Sequence, residues 1–301
     1  ESTNAAAAAA GGLLVTRASE PHLRTEFFAE IDVMKQFRHP NLVQLLGVCT
    51  SNQPMYMILE FLVGGSLSDW LPENGPKLLK PTSAKLINLL HQVALGMLAL
   101  GRAGIVHRDL AARNVLINEE LQVKVADYGM SRDVEEDKNY YCIKTERPIP
   151  LRWSAPETIV GKKYSTASDV YAWGVLVYEV FSFANLPFSA IDDDIAFIRF
   201  LVGTKTATGD AAADVCDPLL EHLISVLGTH GVSFVPDVVA TLLKGCVHRN
   251  PAHRLTFQQV AERTRQVDSA DHSAAVPDGS GVQLEWSQSL PPARPRADSF
   301  C

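Results

Sequence analysis

The stretch "IVHRDLAARNVL", residues 105–116, gathers an imidazole, a guanidinium, a carboxylate, a second guanidinium and a carboxamide into the eight residues from His107 to Asn114. Apolar residues flank it on both sides. These are the residue types of a catalytic loop, and they belong to a longer series. Asn114 stands five residues past Asp109, and Asp127 in "VADYG" follows thirteen residues after Asn114. "SAPE" comes next at 154–157, then "SDVYAWG" at 168–174. Any one of these could arise by chance; the ordered set at these distances is poorly explained that way.

The set resembles the protein kinase family, and the resemblance covers about residues 13–266. It implies an α+β, two-lobed kinase-like fold, with a small, truncated β-rich N-lobe at about 13–63 and a large, mainly helical C-lobe at about 64–266. It implies ATP and Mg²⁺ as cofactors. The transferring phosphoryl group carries spread negative charge, so such a protein supplies metal ions and alignment more than covalent chemistry. By this resemblance Asp109 orients the substrate hydroxyl and accepts its proton, while Asn114 and Asp127 hold Mg²⁺ on the phosphates. Glu30 matches the helix-αC glutamate and Leu59 the gatekeeper. Glu60 to Leu62 offer backbone hydrogen bonds to adenine, and Leu116 closes the adenine pocket from below. His107 packs under the loop without transferring protons, and Arg108 bridges to the activation loop. Asp169 hydrogen-bonds the backbone of the HRD turn, and Glu157 and Arg254 form a buried ion pair. Tyr128 replaces the usual Phe of DFG, keeping a large aromatic plug and adding a hydroxyl. A plain loop carboxylate capping a turn is a poor alternative for Asp109 beside Asn114 and Asp127.

"DLAARN" discriminates within the family. Serine/threonine kinases usually place Lys two residues after the catalytic Asp; here that residue is Ala111, and the cation is Arg113, four after the Asp. That is the tyrosine-kinase pattern, and the Pro-x-x-Trp of "IPLRWSAPE" resembles the platform that packs the ring of a target tyrosine. Tyr140 and Tyr141 in "DKNYYCIKTERP" resemble the tyrosine pair of receptor-type activation loops. Phosphorylation there adds charge that Arg108 could pair with, ordering the loop; this is preferred to the alternative of two exposed tyrosines without regulation. Implied partners are proteins bearing substrate tyrosines and proteins with SH2 or SH3 domains. "LPPARPR" at 290–296 is an SH3-ligand candidate, although PxxP arises easily in tails.

Two parts of the pattern are missing. The early glycines are Gly11 and Gly12 beside a polyalanine run, so there is no glycine-rich loop. "LLVTRA" aligns with the family's "VAVKxL" and puts Thr16 where a lysine is expected, with Arg17 next to it; the first lysine in the chain is Lys35. Losing one pre-organised electrostatic contact costs on the order of 10²–10³ in rate, and an arginine's planar fork is a weak replacement. Three readings stand: a tyrosine kinase whose start is cut or mis-assembled, a pseudokinase scaffold that binds partners and can still bind nucleotide, and a small-molecule phosphotransferase. The APE motif, the Trp platform and the tyrosine pair argue against the third.

The elements that must position these residues follow from periodicity. "LLVTRA" (13–18), "NLVQLLGVCT" and "MYMILEFL" read as strands, and 24–37 as a helix ended by His39-Pro40-Asn41. Ser66 caps a helix at "SLSDWL". A long helix runs from about Ser83 to Leu100, and "VKVADYG" is a strand ending in a turn. Residues 130–152 read as polar loop. "SDVYAWGVLVYEVF" is apolar nearly all round, as a central buried helix should be; it is too short to span a bilayer and carries Glu179. Helices are expected near 192–202 and 236–247, with 203–237 longer than the usual connection and unplaced. Residues 1–12 and 267–301 read as disordered.

Composition narrows the classes. A net charge of −7 gives no bulk attraction to nucleic acid or anionic lipid. Five scattered cysteines suit neither a disulfide framework nor a metal site. A reducing cytoplasmic setting is expected, with no transmembrane segment in this chain, either free or as the intracellular part of a membrane receptor. A start at Glu1 rather than Met suggests a fragment.

Overall fold

The computed structural model describes residues 13–18, 23–52, 54–79, 83–128, 141–142, 149–202, 215–232 and 235–270. The low-complexity start, Tyr140 and the tail beyond Ala270 lie outside them, as does most of the segment that follows Tyr128. Among the described residues the fold is α+β, with few strands in a small lobe and a mostly helical large one.

In the small lobe, β1 (Leu13–Ala18), β2 (Leu45–Cys49) and β3 (Met55–Glu60) form an antiparallel sheet in the order β1-β3-β2. The alternation of β3 decides its faces: Met55, Met57 and Leu59 are buried, while Tyr56, Ile58 and Glu60 are half-buried. Helix α1 (Leu23–Met34) buries Phe27, Ile31 and Met34, spaced four and three apart on one face. Register sets Thr16 opposite Met57 and Arg17 opposite Tyr56. Thr16 therefore lies on the strand beside β3, where the sequence alignment puts the family's lysine.

The chain leaves the sheet through Phe61–Gly65. Ser66 caps α2 (Leu67–Leu78), its hydroxyl accepting from Asp69 N at 3.2 Å. Helix α3 (Ala84–Arg102) follows. At 19 residues it is long and apolar enough, by length and composition alone, to cross a membrane, yet half of it is buried and it packs on later helices of the large lobe. Gly96 lets Asn41 approach it: a Cβ there would sit 2.6 Å from the Asn41 carbonyl oxygen. Asn41 in turn donates from Nδ2 to Gln92 Oε1 at 3.2 Å and to Val123 O at 3.0 Å. This buried contact is one of several ties between the lobes, with Val43 N donating to Val125 O at 2.9 Å beside it.

The short strands β4 (Val115–Ile117) and β5 (Val123–Val125) pair antiparallel just past the HRD motif. The polar stretch 130–152 is not wholly loop. Strand β6 (Tyr141–Cys142) pairs with β7 (Lys163–Tyr164), and α4 (Pro156–Gly161) lies between them in sequence. Helix α5 (Thr166–Phe181) is buried over nearly all its length. A reciprocal cap starts it: Ser165 Oγ accepts from Ser168 N, and Ser168 Oγ accepts from Ser165 N. Helices α7 (Asp217–Thr229) and α8 (Asp237–Cys246) pack on α5, while α6 (Asp194–Val202) packs on α4 and α9 (Phe257–Ala270) on α3. Helix α7 occupies part of the span that the sequence reading left unplaced, and it buries Leu219, Leu220, Leu223 and Leu227. Residues 203–214 lie outside the described set.

Candidate active site

The HRD turn is held from beneath by α5. Asp169, 2% exposed, accepts from His107 N at 2.8 Å and from Arg108 N at 3.0 Å. Burial raises its pKa, opposed by His107, the two backbone donors and Arg108. The two bonds fix Arg108 at φ +74°, a left-handed conformation that costs about 1–3 kcal/mol for a non-glycine residue unless its surroundings impose it. His107 is buried, with Nδ1 accepting from Asp109 N at 3.3 Å and Nε2 lying 3.0 Å from Ala126 O. Both ring nitrogens thus serve the backbone. The Arg108 guanidinium lies 5.7 Å over the Tyr164 ring of β7.

Asp109 is oriented on both carboxylate oxygens. Asn114 Nδ2 donates to Asp109 Oδ2 at 3.0 Å and to the Asp109 carbonyl at 2.6 Å, and Arg113 pairs with Oδ1. The Arg113 guanidinium is stacked 4.7 Å over the Trp153 ring of the "PLRW" segment. Asn114 spends its amide nitrogen on Asp109, so its oxygen is the atom that would meet a cation. Ala126 N donates to Asn114 O at 2.8 Å, which brings the backbone just before Asp127 beside Asn114. Asp127 is exposed, at φ +57°. Two hard oxygen ligands suit Mg²⁺, which keeps waters and takes its remaining contacts from phosphates. No cluster of three or more His, Cys, Asp or Glu side chains occurs among the described residues, so no all-protein metal cage competes with that arrangement.

Tyr128 fills its position completely. Its ring is buried, meets Phe37 edge to face at 5.9 Å, and donates its hydroxyl to Val43 O at 2.8 Å. The extra hydroxyl thus has a partner. Burial raises its pKa, with the Glu60 and Glu30 carboxylates adding to the effect, which brings Glu30 of α1 within electrostatic reach of the plug.

At the link between the lobes Leu59 and Leu62 are buried and Leu116 is half-buried. Gly64 N donates to Ile117 O at 2.9 Å and Ile117 N to Gly65 O at 3.0 Å, fastening the link to β4. The Glu60 N–H donates to Gln44 O at 3.0 Å, which leaves its carbonyl as the backbone group the expectation can use. Its side chain is also committed: it accepts from Gln44 N at 2.6 Å and from Lys124 Nζ at 2.8 Å on each oxygen. Lys124 was not singled out in the sequence. The signal was a lysine between two buried valines of β5, directly across from Leu116 and so on its face of the ladder.

Further from the turn, Arg254 forms a bidentate pair with Glu157, at 2.6 and 2.8 Å, and Glu179 of α5, 5% exposed, accepts from Ala112 N at 2.9 Å. Sequence reading found the first pair. It noted Glu179 only as a charge in an apolar helix. Tyr141 lies in β6 with its backbone opposite Tyr164, and its side chain, like that of Thr16, lies outside the described set.

A small lobe and a helical large lobe meeting over an HRD turn, an Asn and a DYG-type strand end define a phosphotransferase of the protein kinase class. Residues 13–226 match the family model for protein tyrosine and serine/threonine kinases, and the chain belongs to that family. Its relatives are tyrosine kinases. It is 39% identical over 173 residues, 58% of this chain, to the tyrosine-protein kinase transforming protein Fps of avian sarcoma virus (strain PRCII). It is 33% identical over 235 residues, 78% of this chain, to the mouse cytoplasmic tyrosine-protein kinase BMX. The rat ephrin type-A receptor 5 is 41% identical over 165 residues, 55% of this chain. The matched segments span 32% of the length of the Fps protein and of BMX, and 16% of the ephrin receptor.

Proposed function

We propose that the chain is the catalytic domain of a protein-tyrosine kinase, moving the γ-phosphoryl group of ATP to a protein tyrosine. The observation that supports this most is the doubly held Asp109: Asn114 fixes one carboxylate oxygen, and Arg113, stacked on Trp153, fixes the other. A substrate tyrosine resting on the Trp153 platform would bring its hydroxyl toward Asp109, which orients it and accepts its proton. Asn114 Oδ1 and the Asp127 carboxylate would hold Mg²⁺, which when bound neutralises charge on the phosphates. Leu59, Leu62 and Leu116 would line the adenine pocket, with the Glu60 carbonyl and the Leu62 N–H as backbone contacts. The lobes would run 13–63 and 64–266. Arg113 in place of a lysine near Asp109 favours tyrosine over serine or threonine.

Phosphorylation of Tyr140 or Tyr141 would regulate the site through Arg108, and would require an encounter between two copies. Tyrosine-bearing proteins are the substrates, SH2- and SH3-domain proteins the further partners. The setting is cytoplasmic, as a free enzyme or as the inner part of a receptor; the relatives include both a cytoplasmic kinase and an ephrin receptor.

A second reading, a pseudokinase scaffold, is favoured by one observation: Thr16 stands where the family's phosphate-clamping lysine is expected. Transfer from Mg·ATP to a tyrosine-containing polypeptide, with Asp109→Asn alongside, separates the two. The kinase reading expects transfer by the parent chain and loss of at least about 10²-fold in the variant. Equal silence in both, persisting in Thr16→Lys, would overturn it in favour of the scaffold.

A further inference from the structure

We infer that His248 and His253 form a binding site for one divalent transition-metal ion, on the turn that presents Arg254 to Glu157. The inference stands apart from the kinase reading above. His248 precedes and His253 ends the 3₁₀ turn Pro251–His253, which follows α8. The two ring centroids lie 4.9 Å apart at an interplanar angle of 56°. Two imidazoles on one tetrahedral ion, with each nitrogen roughly 2.1 Å from it, place their ring centres about 5 Å apart. The pair therefore already stands at the separation that a shared ion requires. His253 is exposed and His248 half-buried, so an ion can reach both from solvent. Two protein ligands leave the ion's other positions to water.

The turn holds the pair together without an ion. Asn250 Oδ1 accepts from Ala252 N at 3.0 Å, and Asn250 O accepts from His253 N at 3.1 Å. A ligating imidazole donates its second ring N–H to a carbonyl or a carboxylate. His248 has that acceptor in place. Its Nδ1 lies 3.2 Å from Asn250 O, and in the metal-free chain it accepts from Asn250 N at 3.0 Å. When an ion takes the Nε2 lone pair, the ring's one proton moves through solvent from Nε2 to Nδ1. The bond then turns from Asn250 N to Asn250 O, and the neutral ring neither gains nor loses a proton overall. Imidazole nitrogen suits Zn²⁺, Cu²⁺ and Ni²⁺, whereas Mg²⁺ keeps to oxygen, so this pair and the Asn114–Asp127 pair select different ions. The same turn carries the Arg254 fork. Arg254 Nε donates to His248 O at 2.8 Å and Nη2 to Arg249 O at 3.3 Å, with both Nη atoms on Glu157. An ion across the two rings closes the turn and stiffens the seat of the Glu157–Arg254 pair.

The test titrates Zn²⁺ into the untagged, metal-free full chain by calorimetry, in excess Mg²⁺ to occupy oxygen ligands, with His248→Ala and His253→Ala alongside. The inference expects one Zn²⁺ per chain. Either substitution should weaken binding at least about tenfold, since the loss of a ligand costs no less than the loss of an outer partner. At about ten times its Kd, Zn²⁺ should raise the Tm of the parent by about 3 °C and that of either variant by about 1 °C at most. In ¹⁵N spectra of the imidazoles, Zn²⁺ should convert His248 from the Nε2–H to the Nδ1–H tautomer. His253 is exposed, so its substitution leaves the fold intact and keeps the comparison valid if His248→Ala unfolds. Binding that survives both substitutions belongs to other histidines and overturns the inference, as does an absence of binding or one ion shared between two chains. Phosphate transfer enters none of these readouts, so a failure of the kinase reading leaves them standing.

Discussion

The HRD turn and the sheet of the small lobe are held in different ways. From His107 to Asn114, two buried carboxylates of one helix, Asp169 and Glu179, take three backbone N–H groups. The turn is fixed at its backbone, so its side chains are free to act. In the small lobe the sheet supplies a strand with Thr16 where the sequence alignment puts the family's lysine, and Lys124 of β5 is spent on Glu60 of β3. Acceptor geometry in this protein is set by the core of the large lobe. The small lobe is tied to it by the link Phe61–Gly65, fastened to β4 through Gly64 and Gly65. The shape of the HRD turn is thus set by α5 and does not depend on the residue at position 16.

That contrast is broken most directly by Asp169→Ala. The substitution leaves two buried N–H groups without their acceptor and releases Arg108 from φ +74°. Hydrogen bonds to a charged group contribute roughly 1.5–3 kcal/mol each, so the loss should be about 3–5 kcal/mol in urea unfolding. A loss under about 1 kcal/mol would mean that the turn does not depend on α5.

Glu179 tests the same anchor by pH. Burial pushes its pKa from 4.5 up to about 7, with the Ala112 N–H, the Trp153 N–H and Arg113 opposing. The folded state then binds this proton more tightly than the unfolded state. Stability from this group is greatest below about 4.5, falls as pH rises through 4.5 to 7, and is flat above. The decline across that window is on the order of 3 kcal/mol. Unfolding free energy against pH should slope downward there in the parent chain and lose that slope in Glu179→Gln. Parallel curves would show that the carboxyl titrates at its ordinary value.

What was legible in the sequence divides along the same line. The HRD, Asn, DYG and APE motifs are local strings that mark the turn and the start of the central helix, and the family resemblance they carry implied the Glu157–Arg254 pair. Strand β1 was readable as a short β-like run, and helix α1 by its apolar residues close to one helical face. Helix α7 was missed although Asp217-Pro218 marks a start and Leu219, Leu223 and Leu227 keep one face. The patternless residues before it hid its beginning. The Lys124–Glu60 and Glu179–Ala112 contacts join residues more than sixty positions apart, and nothing local to either partner signals the other. Only an isolated charge in an apolar run hinted at them.

Tyr128 sharpens the comparison at the junction of the two regions. Tyr128→Phe restores the family's usual side chain and removes the bond to Val43 O. Stability should fall by about 1 kcal/mol, the typical net worth of one buried hydrogen bond. The ring plug remains, so phosphate transfer should stay within about twofold of the parent. A much larger loss of transfer would show that the hydroxyl, and not the ring, aligns Asp127.

The smallest effect concerns strain that no carboxylate holds. Past the end of α5, Phe183 and Ala184 sit at φ +58° and +65°, and Ala184 N donates to Glu179 O at 2.7 Å. Phe183 cannot be spared, because its ring packs on His230 at 4.8 Å and lies so close to Gly75 that a Cβ there would meet it at 2.5 Å. Ala184 has only a methyl to lose. A left-handed alanine costs about 1 kcal/mol over glycine, while glycine loses more entropy on folding. Ala184→Gly should therefore stabilise the domain by about 0.5 kcal/mol, or about 2 °C in Tm by calorimetry, with transfer unchanged. Arg108 occupies the same left-handed region with the opposite prognosis. Arg108→Gly relieves the same kind of strain, yet it removes the guanidinium over Tyr164 and should lower transfer. If both glycines were neutral for transfer, the strain in the catalytic turn would be incidental; if only Ala184→Gly is neutral, the turn is strained because Asp169 holds it where its side chains are needed.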